Sequence, residues 1–283
     1  MWVLLASVCC SVAVSVLLKL TRRHDIAVDQ AIAVNYAMAA VLTVVLLRPD
    51  PSTLLQPTTS WVVLLALGLL LPTIFLAMAA AVRVAGIVLS DAAQRLSLLI
   101  PLLASFLLFG ETASGGKLVG IALALVALLC LLVRPSTCGP ASHPGWKPAA
   151  LLLAVWIGYG SIDVLFKHLA AAGLAFSNSL LITFLLSGFS LAAYLIARRT
   201  RWTGRSMAAG LLLGLLNFGN IYFYLRAHQQ FPRNPTLVFA AMNIGVISMG
   251  ALIGAGVFRE KLSLLNMAGV VLAIVAVLVL MPR

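Results

Sequence analysis

The chain has 283 residues, 63% of them hydrophobic and only 9% charged, whereas a soluble domain is about half apolar and a quarter charged. Water cannot solvate so much apolar surface, so a soluble enzyme or binding module is excluded and the solvent is a bilayer. The formal net charge of +12 would suit nucleic acid in a soluble protein, but Arg22, Arg23, Arg198, Arg199, Arg201 and Arg205 flank apolar runs. With no aromatic-interleaved basic surface, they read as topology determinants, and nucleic acid is not an expected partner.

A helix crossing the hydrocarbon core needs about 20 apolar residues. In chain order the segments 2–19, 30–47, 61–82, 87–109, 116–134, 149–169, 176–197, 206–226, 235–257 and 263–281 meet this. The first has no basic residue ahead of its apolar run, and Lys19 lies beyond it, so it reads as a membrane helix rather than a leader. Turn formers such as Pro49-Asp50-Pro51 and Cys138-Gly139-Pro140 fill the connections. Runs such as 121–133 are apolar all round, which suits helices and not the period of two of a barrel strand. Cys9, Cys10, Cys130 and Cys138 match neither a disulfide framework nor a zinc pattern and read as small apolar packing residues.

The chain repeats itself. Phe109, Glu111, Ser114, Gly120 and Arg134 recur 149 residues later as Phe258, Glu260, Ser263, Gly269 and Arg283. Val16-Leu17-Leu18-Lys19 recurs as Val164-Leu165-Phe166-Lys167 at nearly the same offset. The division is therefore a first five-helix repeat, 1–134, a proline-rich connection, 135–148, and a second five-helix repeat, 149–283. An odd helix number per half inserts the second half from the opposite side. The expected fold is an all-α polytopic membrane protein of ten transmembrane helices in two inverted repeats, an architecture common among secondary transporters.

Two five-helix halves, with Pro101-Leu102-Leu103 through Phe109-Gly110-Glu111 and then Gly120-Ile121-Ala122-Leu123, and with Phe258-Arg259-Glu260 and then Gly269-Val270-Val271-Leu272, carry a resemblance over essentially the whole chain. The sequence resembles the EamA-like family of the drug/metabolite transporter superfamily. The resemblance implies a ten-helix carrier in the cell (inner) membrane with a central cavity, both termini inside, and a substrate among amino acids, other metabolites and drugs. The second copy departs from the first, with Arg259 for Gly110 and Gly250 for Pro101.

Ionisable residues inside a bilayer are costly and face the bundle interior, which makes them functional candidates. Asp91 and Arg95 lie four apart in the fourth segment, and Asp163 and Lys167 four apart in the sixth, so each acid is expected to neutralise its base across one helix face. Lys167, near a helix end, could instead snorkel. Asp163, well inside its segment, is the candidate for exchanging a proton. Trp156, Tyr159 and Ser161, then Asn217, Asn220, Tyr222 and Tyr224, and finally Asn243 form a polar set around these pairs. They either bond neighbouring helices or contact a solute. The substrate-binding candidates are Arg95, Asp91, Asp163, Lys167, Trp156, Tyr159, Asn217, Asn220 and Asn243. Mixed charge suits a zwitterionic or weakly charged metabolite.

Other residues read as structural. Glu111 and Glu260, at helix ends, are expected to cap the start of the next helix. Pro101 is expected to kink its helix and free a carbonyl. Gly120 and Gly269, and the spacings Gly116/Gly120, Gly210/Gly214 and Gly250/Gly254, mark close helix approach. His24, His143, His168 and His228 are scattered at segment ends, and no triad, metal motif or phosphate loop appears, so no enzyme activity, cofactor or metal is expected. The expected partners are the bilayer, a small-molecule substrate and protons, with the protein a monomer or homodimer.

The leading function is a secondary transporter working by alternating access; the alternative is a membrane scaffold or accessory subunit, which has little reason to keep Asp163 and Arg95. Counting Lys and Arg by alternating loops places both termini outside, opposite to what the resemblance implies.

Overall fold

The structure is a computed structural model that describes residues 2–21, 26–50, 60–85, 87–132, 146–170, 176–258 and 264–281. Every regular element among them is helical. In order they are α1 (Trp2–Thr21), α2 (Val28–Leu42, continued by a π-helical turn, Thr43–Leu47), α3 (Trp61–Ala85), α4 (Ile87–Leu96), α5 (Leu99–Leu107), α6 (Gly115–Leu132), α7 (Trp146–Ala170), α8 (Phe176–Ala197), α9 (Gly204–Gln230), α10 (Pro235–Phe258) and α11 (Leu264–Leu280).

Among the described residues, six stretches are long and apolar enough to cross a membrane: Val28–Leu47, Trp61–Val82, Trp146–Ala170, Phe176–Ala197, Gly204–Gln230 and Pro235–Ile253. Four shorter apolar helices, Trp2–Leu17, Ala93–Leu107, Gly115–Cys130 and Met267–Leu280, fall on the remaining expected segments. The surface is that of a membrane protein. Val62, Leu107, Phe189 and Leu264 are all more than 70% exposed, which water would penalise and acyl chains do not. Glu111, Lys167, His228, Asn35, Thr183 and Ser187 are buried, because polar groups facing hydrocarbon would lose their hydrogen bonds.

The helices pack in a defined set of pairs: α1 on α9 and α10, α2 on α8 and α9, α3 on α7 and α8, α4 and α5 on α7, α5 on α10, and α6 on α11. Small residues decide how closely they approach. A Cβ on Gly214 would lie 2.8 Å from the Asn35 carbonyl, and one on Gly210 would lie 2.7 Å from that of Ala31, so α9 lies backbone to backbone on α2. Gly120 lets Leu280 of α11 sit against α6, where a Cβ would come to 2.7 Å, and Gly269 is buried on α11. Gly116 and Gly250 meet nothing within 4 Å, so in the first of these pairs only Gly120 makes a close approach. Gly254's surroundings lie outside the described side chains.

The fourth expected segment, 87–109, is not one helix. It breaks between α4 and α5 at Ser97 and Leu98. Pro101 has no amide hydrogen and cannot bond the Ser97 carbonyl. That carbonyl takes the Ile100 amide instead, at 3.0 Å, and so the Leu96 carbonyl loses its own helical partner. In the other half, α10 carries Gly250 where α5 has Pro101 and runs unbroken.

Candidate functional site

α7 carries the site. Trp156, Tyr159, Asp163 and Lys167 recur at three- and four-residue spacing, so they form one stripe along its length. Each meets a different neighbour. Trp156 Nε1 donates to the Leu96 carbonyl at 3.0 Å, taking up the acceptor that the α4–α5 break leaves free. Tyr159 packs against the small cluster of Ala81, Ala93 and Val155 and lies close to the buried Tyr36 of α2.

Asp163 is half-buried. It accepts from the Tyr224 hydroxyl of α9 at 2.9 Å, and the Asn243 amide of α10 is its second hydrogen-bonding neighbour. Asn243 also donates back to the Phe239 carbonyl at 3.2 Å.

The expected Asp163–Lys167 pair does not form. Lys167 is 6% exposed and does not snorkel. Its Nζ donates to the Pro232 carbonyl in the α9–α10 turn at 3.2 Å and lies 5.8 Å from the centre of the Phe109 ring. The two side chains share a face of α7, but each finds closer partners on other helices, so tertiary packing overrides the local spacing.

Glu111 also departs from expectation. It caps not the helix that follows it but α10, in the other half of the chain. Its Oε2 accepts from the Thr236 amide at 3.1 Å and the Thr236 hydroxyl at 2.6 Å, and Lys117 Nζ sits 3.1 Å from Oε1. Gly110 makes this possible: at φ +63 it turns the chain so that the Glu111 amide folds back on the Ser105 carbonyl at 3.0 Å. A carboxylate at a helix N-terminus satisfies donors that have no helical acceptor and meets the positive end of the helix dipole.

The rest of the expected set divides. Asn220 accepts from Ser7 at 3.0 Å and ties α9 to α1, and Asn217 is half-buried one turn before it. Tyr222 stacks on Phe218 and receives Arg226 on its ring, away from Asp163. Arg95 is half-buried on α4 beside the break. The side chain of Asp91, and the whole of Glu260, lie outside the described residues.

One functional candidate was not anticipated. His228 is 1% exposed, its ring 4.8 Å from those of both Tyr224 and Phe239. Neither ring nitrogen has a hydrogen-bond partner among the described residues, at a cost of about 1–3 kcal/mol for each buried polar atom left so. The signal for it was available: Tyr224 and His228 are four apart on α9, as Asp163 and Lys167 are on α7.

The fold and this interior stripe define the class: an all-helical membrane protein with ionisable groups turned inward. The chain belongs to the same family as an uncharacterized protein of Haemophilus influenzae, with which it is 48% identical over 279 residues, covering 97% of this chain and 95% of that one. No family model matches it. A protein of known crystal structure shares the fold at a TM-score of 0.75, with 16% identity over 98% of this chain and 94% of that one.

Proposed function

We propose that the chain is a secondary transporter of the cell (inner) membrane, moving a small metabolite by alternating access, with proton exchange at Asp163. The observation that carries this reading is the helix broken at Ser97 and Leu98 beside the α7 stripe that holds Asp163. Carriers build substrate sites at discontinuous helices near mid-membrane, where freed backbone groups and a few polar side chains face one another. A scaffold subunit has no use for a half-buried acid held, among the described residues, by a tyrosine and an asparagine.

The same reading takes the protein as ten spans in two oppositely inserted repeats, α4 and α5 together forming one span. The packing supports it. Exchanging each span for its counterpart five spans away turns the α1–α9 contact into α7–α3, and α2–α9 into α8–α3. It turns α1–α10 into α7 with α4 and α5, and leaves α2–α8 and α6–α11 unchanged. The substrate is a small zwitterionic or weakly charged metabolite, amino acid-like or drug-like, met by Arg95, Trp156, Tyr159 and Asp163.

Metabolite profiling of a deletion strain against an overexpressing one tests the function. A solute whose distribution shifts in opposite senses in the two strains supports it, and no such solute would exclude it. With that solute in proteoliposomes, Asp163→Asn should abolish uptake driven by a pH gradient; retained uptake would remove Asp163 from the coupling.

A further inference from the structure

We propose that His228 carries protons between the Asp163 carboxyl and the Glu111 end of the bundle, through water on either side of its ring. The inference rests on the reading of Asp163 as a proton-exchanging group and extends it to a route.

Three helices lay down the route in register. Asp163 of α7, Tyr224 of α9 and Asn243 of α10 meet in one layer. Lys167 lies four residues from Asp163, His228 four from Tyr224 and Phe239 four from Asn243, so one helical turn away, about 5 Å, the same helices place these three together. Beyond them lie Pro232, Thr236 and Glu111, with Lys117 on the Glu111 carboxylate. The groups facing His228 are Tyr224 on its own helix, Lys167 on α7 with Asp163 one turn deeper, and Phe239 on α10 with Asn243 one turn deeper. Glu111 stands behind Lys167.

A neutral imidazole always presents one donor and one acceptor. In an ordinary core both would be bonded to protein, and a ring wanted only for edge-on packing against Tyr224 and Phe239 would carry no nitrogens. Two nitrogens with no partner among the described residues, at 1% exposure, are the atoms that the proposed route gives to water. The Tyr224 hydroxyl is committed to Asp163, and only its ring faces the imidazole, so the proton cannot pass along the phenol. It leaves the Asp163 carboxyl for a water, and that water protonates one imidazole nitrogen. The other nitrogen releases its proton to water on the Glu111 side, and rotation of the ring restores the starting tautomer. No electrons move, and water is the only co-reactant.

The test uses the full chain in lipid nanodiscs and needs no transported solute. After a pH jump, time-resolved infrared spectroscopy follows the carboxyl C=O band that Asp163→Asn removes. His228→Gln and His228→Ala should each slow the change in this band by about 100-fold, and imidazole added to the buffer should restore the rate in the alanine variant alone. Unchanged rates in both variants, or slow rates without rescue, would overturn the role of His228. If no band depends on Asp163 in the otherwise unaltered chain, the reading of Asp163 fails instead. A misfolded variant would lose the band rather than slow it.

Discussion

Glu111 shows how a single residue can be read correctly in kind and wrongly in partner. Its place at a helix end, before a run of small and polar residues, marks it as a cap. The Thr236 that it bonds in α10 lies 125 residues away, and no local spacing can reveal that. Because its side chain is only 1% exposed, Glu111→Ala strands the Thr236 amide and hydroxyl. We expect a loss of about 1–3 kcal/mol, read as a lower unfolding midpoint in detergent. Thr236→Val removes only the hydroxyl bond and should cost about 1 kcal/mol. Asp163 and Lys167 teach the same lesson in reverse, since their spacing suggested a pair and the neighbouring helices supplied better partners to both. What was legible was which residues are costly in lipid, because that depends only on chemical type and depth.

At the level of the helix, two features govern shape. The first is the α4–α5 break. Pro101→Ala restores an amide that can bond the Ser97 carbonyl and return the Leu96 carbonyl to the helix. We expect slower hydrogen exchange across residues 99–102 and, once a transported solute is known, reduced uptake; unchanged exchange would mean that Pro101 does not hold the break open. The second is the α2–α9 contact. Gly214→Val drives a side chain onto the Asn35 carbonyl and should destabilise by about 1–3 kcal/mol, measured by chemical unfolding in detergent. The same change at Gly116, which faces open space, should have no comparable effect. The sequence announced the proline kink but not the residue on α7 that fills it, because Trp156 and Leu96 are 60 positions apart. Glycine spacing alone did not separate Gly210/Gly214 from Gly116/Gly120, since only the neighbour's identity tells a contact from an opening.

For the whole molecule, the apolar segments were readable from composition, while which helix lies on which was not, since Leu, Ala and Val pack interchangeably in lipid. The arrangement makes a topological prediction. The α5–α6 turn and the α9–α10 turn meet through Glu111 and Thr236, so reporters inserted at 113 and 233 should give the same sign. One at 202, in the α8–α9 turn, should give the opposite sign. The basic Arg198, Arg199, Arg201 and Arg205 beside that turn favour the cytoplasm for it, whereas the family resemblance implies cytoplasmic termini and so a cytoplasmic 113; the sign at 113 decides between the two. The α8–α9 turn is itself held to the start of α2, where Gln30 donates to the Arg201 carbonyl at 2.7 Å and accepts the Thr203 amide at 3.0 Å. Each end of the bundle thus has a clasp joining the first part of the chain to the second, and the two differ in strength. One is a neutral amide fork. The other is an anion bonded to a helix start and flanked by a cation, and charge-assisted bonds are roughly twice as strong as neutral ones. Bond for bond the Glu111 clasp is the stronger, and in the carrier proposed above the Gln30 end is therefore the one expected to open first.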